Sequence, residues 1–170
     1  MKFYANKKPL SATYAIFFGF FLFFTLPVGG VFFTLNDGDT FIKLSQIISN
    51  KPAEISHAAG QFRGAFYFLI FMCLLTGFMY LLTAKSREIA FRFFSIAFGV
   101  YTIVSFGYKV IINSAMVVAI DKLEAGPLKD SAPEVTKAFV NNFLLFAIAG
   151  AVLSMAALVI GLLGKSNKES

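Results

Sequence analysis

The polar residues with the clearest chemical potential lie where long apolar segments meet more polar ones. Residues of these types, near a bilayer surface, suit either hydrogen bonding between helices or a shallow site for a lipid or apolar substrate. They form a candidate outer polar cluster of Arg63, Lys109, Asn113, Asn141 and Asn142. Two roles remain open for this cluster. Its residues can be solvated or hydrogen-bond between helices of the bundle, or they can form such a shallow site.

A second set of polar residues carries hydroxyl groups and lies within an apolar run. These residues form a candidate polar seam of Tyr101, Thr102, Ser105 and Tyr108. Hydroxyls at helical spacing can line a path for a solute in an oligomeric channel. They can equally bond to a neighbouring backbone carbonyl or helix, which is their more common use in membranes.

The apolar runs hold no Asp, Glu, His or Arg near their centres. Membrane enzymes and proton pathways generally place such groups inside the hydrocarbon region. The one histidine, His57, cannot supply a pair of axial haem ligands, and the one cysteine, Cys73, cannot form an intrachain disulfide. Phosphate-loop and dinucleotide-binding motifs are also missing from the sequence. The sequence therefore predicts no catalytic residue, cofactor or metal.

The elements that would position these groups follow from composition. Hydrophobic residues make up 58% of the 170 residues and charged residues 14%, and the mean hydropathy is +0.75. Four apolar runs cover approximately 12–35, 65–84, 93–112 and 139–163. Each is long enough to cross about 30 Å of hydrocarbon as a helix. The predicted fold is an all-α integral membrane four-helix bundle, one domain over 1–170, built of two helical hairpins.

Charge predicts the orientation of this bundle. The net charge of +6 comes from basic residues that flank apolar runs, which is typical of membrane anchors and not of nucleic-acid binding. The whole net charge lies in the short segments 1–11, 85–92 and 165–170, while the long connections 36–64 and 113–138, counted together with the adjacent Lys109, are balanced. The positive-inside rule then predicts both termini in the cytoplasm, in a bacterial inner membrane or its equivalent.

The two long outer connections carry helix signals. Asp39 follows a turn sequence and is a candidate cap for a short helix. Pro52 and Glu54 indicate a helix that begins well before the second span. Ser131 and Glu134 have the spacing of a capping box. The predicted spans therefore continue outward as helical extensions.

Features inside two spans bear on packing. Small residues recur at spacings of three and four along the fourth span, at Ala147, Gly150, Ala151, Ser154, Ala157 and Gly161. This small-residue face predicts close helix packing, either within the protein's own bundle or against another chain. In the first span, Pro27 predicts a kink or break, because proline removes a helical hydrogen bond.

The sequence favours a non-catalytic integral membrane protein, an accessory or scaffold subunit or an assembly factor of a membrane complex. An oligomeric channel or carrier is the first alternative, and a small membrane enzyme acting on a lipid or apolar substrate is the second. The expected partners are the lipid bilayer and other membrane subunits, or further copies of the chain, and nucleic acid is not among them.

Overall fold

The computed structural model describes residues 7–47, 52–123 and 126–166, which are helical almost throughout. The five helices are α1 (Lys7–Asn36), α2 (Gly38–Ile47), α3 (Pro52–Thr83), α4 (Arg87–Asp121) and α5 (Pro127–Ser166). The described ranges contain no strand, so the all-helical prediction is confirmed for them.

Four of the helices are long and apolar enough to cross a membrane, as expected of a multi-pass membrane protein. Their apolar stretches are Leu10–Asn36, Ala53–Thr83, Arg87–Asp121 and Lys129–Leu163. The shortest has 27 residues. It would be about 40 Å long at 1.5 Å per residue, against about 30 Å of hydrocarbon. Each helix is therefore longer than a perpendicular crossing requires.

The start of α2 differs from the sequence prediction. Asp37, not Asp39, is the cap: one of its carboxylate oxygens accepts from the Thr40 backbone N–H at 3.1 Å and from the Thr40 hydroxyl at 2.5 Å. These two hydrogen bonds lower the pKa of Asp37 below its ordinary value, and the bond from the Thr40 hydroxyl has the larger effect. Asp39 lies in the first turn of α2, where its negative charge interacts favourably with the positive end of the helix dipole.

Prolines and a serine mark the starts of the other long helices that come after α2. α3 begins at Pro52, as its proline and early glutamate predict. The Ser86 hydroxyl caps α4 by accepting from the Ile89 backbone N–H at 3.2 Å. The prediction that a capping box at Ser131 starts the last helix is wrong, because α5 already begins at Pro127. The fixed backbone of proline suits the first position of a helix.

α1 continues through Pro27, so of the predicted kink or break the break does not occur. A membrane helix tolerates proline because neighbouring helices, Ser or Thr side chains, or ordered water can satisfy the backbone carbonyl that proline leaves without its helical partner. The glycines that follow have another role. A Cβ at Gly29 would lie 2.6 Å from the Phe146 ring and 2.7 Å from the Phe66 ring, so this glycine admits rings from α5 and α3.

The helices associate as two extensive antiparallel pairs, α1 with α3 and α4 with α5. α1 also contacts α5 and, less extensively, α4, so it is the helix of the first pair that contacts the second pair most. α3 and α5 have no Cα atoms within 8 Å of each other over the described residues. The most buried side chains include Leu26 of α1, Ser105 of α4 and Phe143 of α5. The interior is thus organised around α1.

Candidate functional site

Part of the outer polar cluster lies where α1 meets α5, at the end of the molecule that carries α2. The Asn142 side-chain amide donates to the Thr34 hydroxyl at 3.0 Å and, more weakly, to the Gly30 carbonyl at 3.4 Å. Thr34 is buried, and its own hydroxyl donates to the Gly30 carbonyl at 2.7 Å. Asn142 therefore ties α5 to α1.

Arg63 makes the second contact of this cluster. Its guanidinium donates to the Asn36 side-chain oxygen at 3.1 Å, which ties α3 to the last residue of α1. Asn36 also lines a surface pocket of about 360 Å³, together with Asp37, Asn141 and Asn142. The pocket is open to solvent, and Asn141 itself is exposed.

The remaining two members of the cluster lie on α4, apart from these contacts. The Lys109 ammonium lies 5.8 Å from the centre of the Phe106 ring on its own helix, within the range of a cation–π contact. Asn113 is exposed. The five predicted residues thus mark one level of the molecule without converging on one site. Thr34 and Asn36, which complete the two hydrogen bonds, are absent from the sequence prediction.

The polar seam is divided between the interior and the surface. Ser105 and Tyr101 are buried, whereas Tyr108 is 41% exposed and stacks on Phe143 with ring centres 5.6 Å apart. The Ser105 hydroxyl donates to the Tyr101 carbonyl at 2.7 Å, and Thr102 donates to the Phe98 carbonyl at 2.9 Å. Two of the four hydroxyls therefore bond to their own helix.

The Tyr101 hydroxyl is the seam member that reaches another helix. It lies 3.1 Å from the Thr25 hydroxyl of α1. Thr25 uses its single hydroxyl proton to donate to the Leu22 carbonyl at 2.6 Å, so Tyr101 must be the donor to Thr25. The Tyr101 oxygen keeps its lone pairs available as an acceptor. Thr25 is not among the sequence-predicted site residues, because a threonine in an apolar run gives no distinct signal.

The small-residue face lies mainly against α4 of the same chain. A Cβ at Gly150 would lie 2.7 Å from the Thr102 hydroxyl and 3.2 Å from the Phe98 carbonyl. The Ser154 hydroxyl donates to the Ser95 carbonyl at 2.7 Å. Of the other members, Gly161 lies against Phe91 of α4, Ala147 and Ala157 are buried, and Ala151 is exposed.

A cleft lies between α3 and α5, where these two helices stay apart. It has a volume of about 270 Å³, and its lining is almost entirely apolar. α1 and α4 form its floor, with Leu22, Thr25 and Tyr101 among the floor residues. Leu74 of α3 and Leu153 of α5, both well exposed, stand at its rim.

The last turns of α4 carry an exposed apolar surface, which we call the α4 stripe. It consists of Val110, Ile111, Val117 and Val118, whose exposed fractions are 51%, 69%, 51% and 56%. The residues repeat at a spacing of seven, so the two members of each repeat lie on the same side of the helix.

The described residues contain no group of three His, Cys, Asp or Glu side chains that could hold a metal ion. Comparison of the chain with protein-family models, curated proteins and solved structures finds no match.

Proposed function

We propose that this chain is a non-catalytic accessory or scaffold subunit of a membrane complex, and that a partner polypeptide docks on the α4 stripe. In this proposal the four long helices form a membrane-spanning bundle of two hairpins. Both termini face the cytoplasm and the α2 end faces outward. The observation that carries the proposal is the exposure of the four apolar residues of the stripe, which the proposed membrane boundary leaves outside the hydrocarbon.

The polar residues at the α2 end support this boundary. Hydrogen bonds at this end of the bundle involve Asn36, Arg63 and Asn142. Lys109 lies near the level of Asn142, because the preceding residue, Tyr108, stacks on Phe143, the neighbour of Asn142. Side chains of these types are typical of the interface between hydrocarbon and water. The part of α4 that follows Lys109 would then project about 18 Å outward.

A charged residue of α5 supports a protein partner over lipid as the cover of the stripe. The antiparallel pairing of α4 and α5 places Glu134 of α5 beside this projecting part of α4. Glu134 forms an ion pair with Lys43 of α2, and both side chains are more than a third exposed. Such a pair is stable in water and costly in hydrocarbon. In this proposal the outer part of the stripe, Val117 and Val118, is therefore apolar surface at an aqueous level.

An apolar stripe at an aqueous level is typical of an interface with another protein. Its spacing of seven suits a helical partner that packs along α4. The hydroxyls at Thr102 and Ser105, bonded to their own backbone, support this role over a solute path along the seam.

The docking proposal is tested by charging the stripe. A protein with both Val117→Glu and Val118→Glu is extracted from its native membrane in a lipid-preserving polymer, and polypeptides in fixed ratio to the chain are quantified. We expect the wild type to retain such polypeptides and the variant to lose them. The matched control is Ser56→Glu with His57→Glu on the exposed first turns of α3, which should retain them.

A photo-crosslinking amino acid then locates the contact. Placed at Val118, it should capture the retained polypeptide, whereas at His57 it should not. The proposal fails if the charged variant keeps its partners, or if the wild type is extracted with no other polypeptide.

Orientation has its own test in a Cys73→Ser background. A membrane-impermeant maleimide applied to intact cells should label Ser56→Cys, and should label Lys85→Cys only after permeabilisation. The reverse pattern would place the α2 end in the cytoplasm.

A further inference from the structure

The cleft between α3 and α5 exists because two large rings hold these helices apart over α1. Phe66 of α3 and Phe146 of α5 both lie on Gly29, and both also line the cleft near its α2 end. At the other end, Phe18 and Phe98 line it with ring centres 5.8 Å apart. The result is a slot with aromatic ends and an open side.

The open side of this slot lies at the middle of the apolar spans. Tyr101 on its floor is eight residues from Lys109 and nine from Arg92. These separations correspond to about 12 Å and about 14 Å along α4. The rim residues Leu74 and Leu153 are 69% and 48% exposed. In a bilayer, the slot therefore opens sideways into hydrocarbon.

We propose that this cleft binds one acyl chain of a bilayer phospholipid, which enters sideways between α3 and α5. Acyl chains are the bulk component at this depth, so their concentration favours occupancy of a fitting site. The volume of about 270 Å³ lies below the roughly 300–1,000 Å³ of pockets that enclose a whole small-molecule ligand. A site of this size holds part of a single chain, and the lipid headgroup remains outside.

Water is a poor occupant of the same site. A buried water needs two to four hydrogen-bonding partners. Thr25 and Tyr101 already bond to each other, and Thr25 donates its proton to Leu22, which leaves the Tyr101 oxygen as an acceptor. An unfilled apolar space of this size would lose the dispersion contacts that a methylene chain supplies.

The binding site is tested with a phospholipid that carries a diazirine at mid-chain, mixed at low fraction into phosphatidylglycerol vesicles containing the full chain. After photolysis, labelled positions are mapped by mass spectrometry. We expect labelling per residue at Leu74 and Leu153 to exceed that at Ile103 and Met155, which face lipid outside the cleft and are 72% and 66% exposed. An enrichment of about fivefold corresponds to about 1 kcal/mol of preference.

Two alanines on α5 provide a matched pair of variants. Ala149 and Ala151 are both exposed, and only Ala149 lines the cleft. Ala149→Phe should fill the slot and abolish the enrichment, while Ala151→Phe should leave it unchanged. If Ala149→Phe fails to fold, as judged by helicity and elution volume, Ile70→Trp on the opposite rim serves the same purpose.

Three results would overturn the proposal. The first is equal labelling inside and outside the cleft in the wild type, and the second is undiminished enrichment in a folded filling variant. The third is enrichment with a diazirine-bearing polyprenyl lipid but not with the acyl probe, which would assign the cleft to an isoprenoid. The α4 stripe takes no part in these measurements, so their outcome is independent of the proposed docking function.

Discussion

The two helix pairs of this protein are held together in different ways. Between α4 and α5, small residues bring the backbones close: Gly150 lies against the Phe98 carbonyl, and Ser154 donates to the Ser95 carbonyl. Between α1 and α3, rings fill the space, as where Phe32 and Phe66 stack with centres 5.3 Å apart. One pair relies on backbone proximity and the other on aromatic shape.

The difference matters because helices in lipid gain little from the hydrophobic effect and associate through packing and hydrogen bonds. Close backbones give many contacts but leave no room for an added atom. Aromatic side chains give similar contact area, and their rings can rotate away when a substitution enlarges a neighbouring residue. We therefore expect the pair α4 with α5 to tolerate substitution less well than the pair α1 with α3.

The largest expected effect is that of Gly150→Ala. The new Cβ would meet the Phe98 backbone carbonyl and two side chains of α4, and the carbonyl cannot move without moving the helix. We expect a loss of about 2 kcal/mol in the free energy of unfolding, measured by denaturant titration in mild detergent. Gly107→Ala, where a Cβ meets nothing within 4 Å, is the control and should cost nothing.

Gly29→Ala should cost less, about 1 kcal/mol, although its clashes are as short. The atoms it meets are the far ends of the Phe66 and Phe146 rings, which can turn. The same titration measures the loss, with Gly19→Ala as the control in open space on the same helix. A loss at Gly29 equal to that at Gly150 would remove the distinction between the two pairs.

Asp37→Ala tests the link between the pairs, since α2 packs against both α1 and α5. Loss of the cap should weaken α2 by about 1 kcal/mol, measured by amide hydrogen exchange within the helix. Because the folded pKa of Asp37 is lowered, its contribution is present above the ordinary carboxylate pKa and disappears as the pH falls through the folded pKa.

The variant and the wild type should therefore exchange alike in strong acid and differ at neutral pH. Asp39→Ala is the control for this measurement. If it weakened α2 more than Asp37→Ala, the cap would belong to Asp39, as its place after the turn sequence predicts.

Ser154→Ala has the smallest expected effect, about 0.6 kcal/mol, the average for a hydrogen bond between membrane helices. The Ser154 bond to the Ser95 carbonyl is lost, but the close approach of α5 to α4 is preserved. Ser114→Ala is the control, because that hydroxyl bonds only to its own helix at Val110. A loss above that of Gly150→Ala would mean that hydrogen bonding, not proximity, holds this pair.

Much of the helical structure can be predicted from the sequence, because long apolar runs and prolines are local signals. The cap of α2 cannot be predicted from the sequence, because Asp37 and Asp39 flank one glycine and only the backbone geometry selects between them. The capping box at Ser131 and Glu134 misleads for a similar reason. A proline four residues earlier already starts the helix, which leaves Glu134 to pair with Lys43.

The candidate sites are less predictable than the helices. Asn142 stands out as an amide at the edge of an apolar run, but its partner Thr34 does not, because threonine is common inside membrane helices. The cleft depends on α3 and α5 remaining apart. That separation is a property of three-dimensional packing around Gly29, and no spacing in the sequence encodes it.

The extensive pairing of α1 with α3, and of α4 with α5, also has a consequence for biogenesis. Each pair joins spans that are neighbours in the sequence, so the nascent chain can assemble the first pair before the second has been synthesised. α1 then presents Thr34 and Thr25 to the later helices, which supply Asn142 and Tyr101. The fold thus allows each half to assemble first and the two halves then to dock on each other.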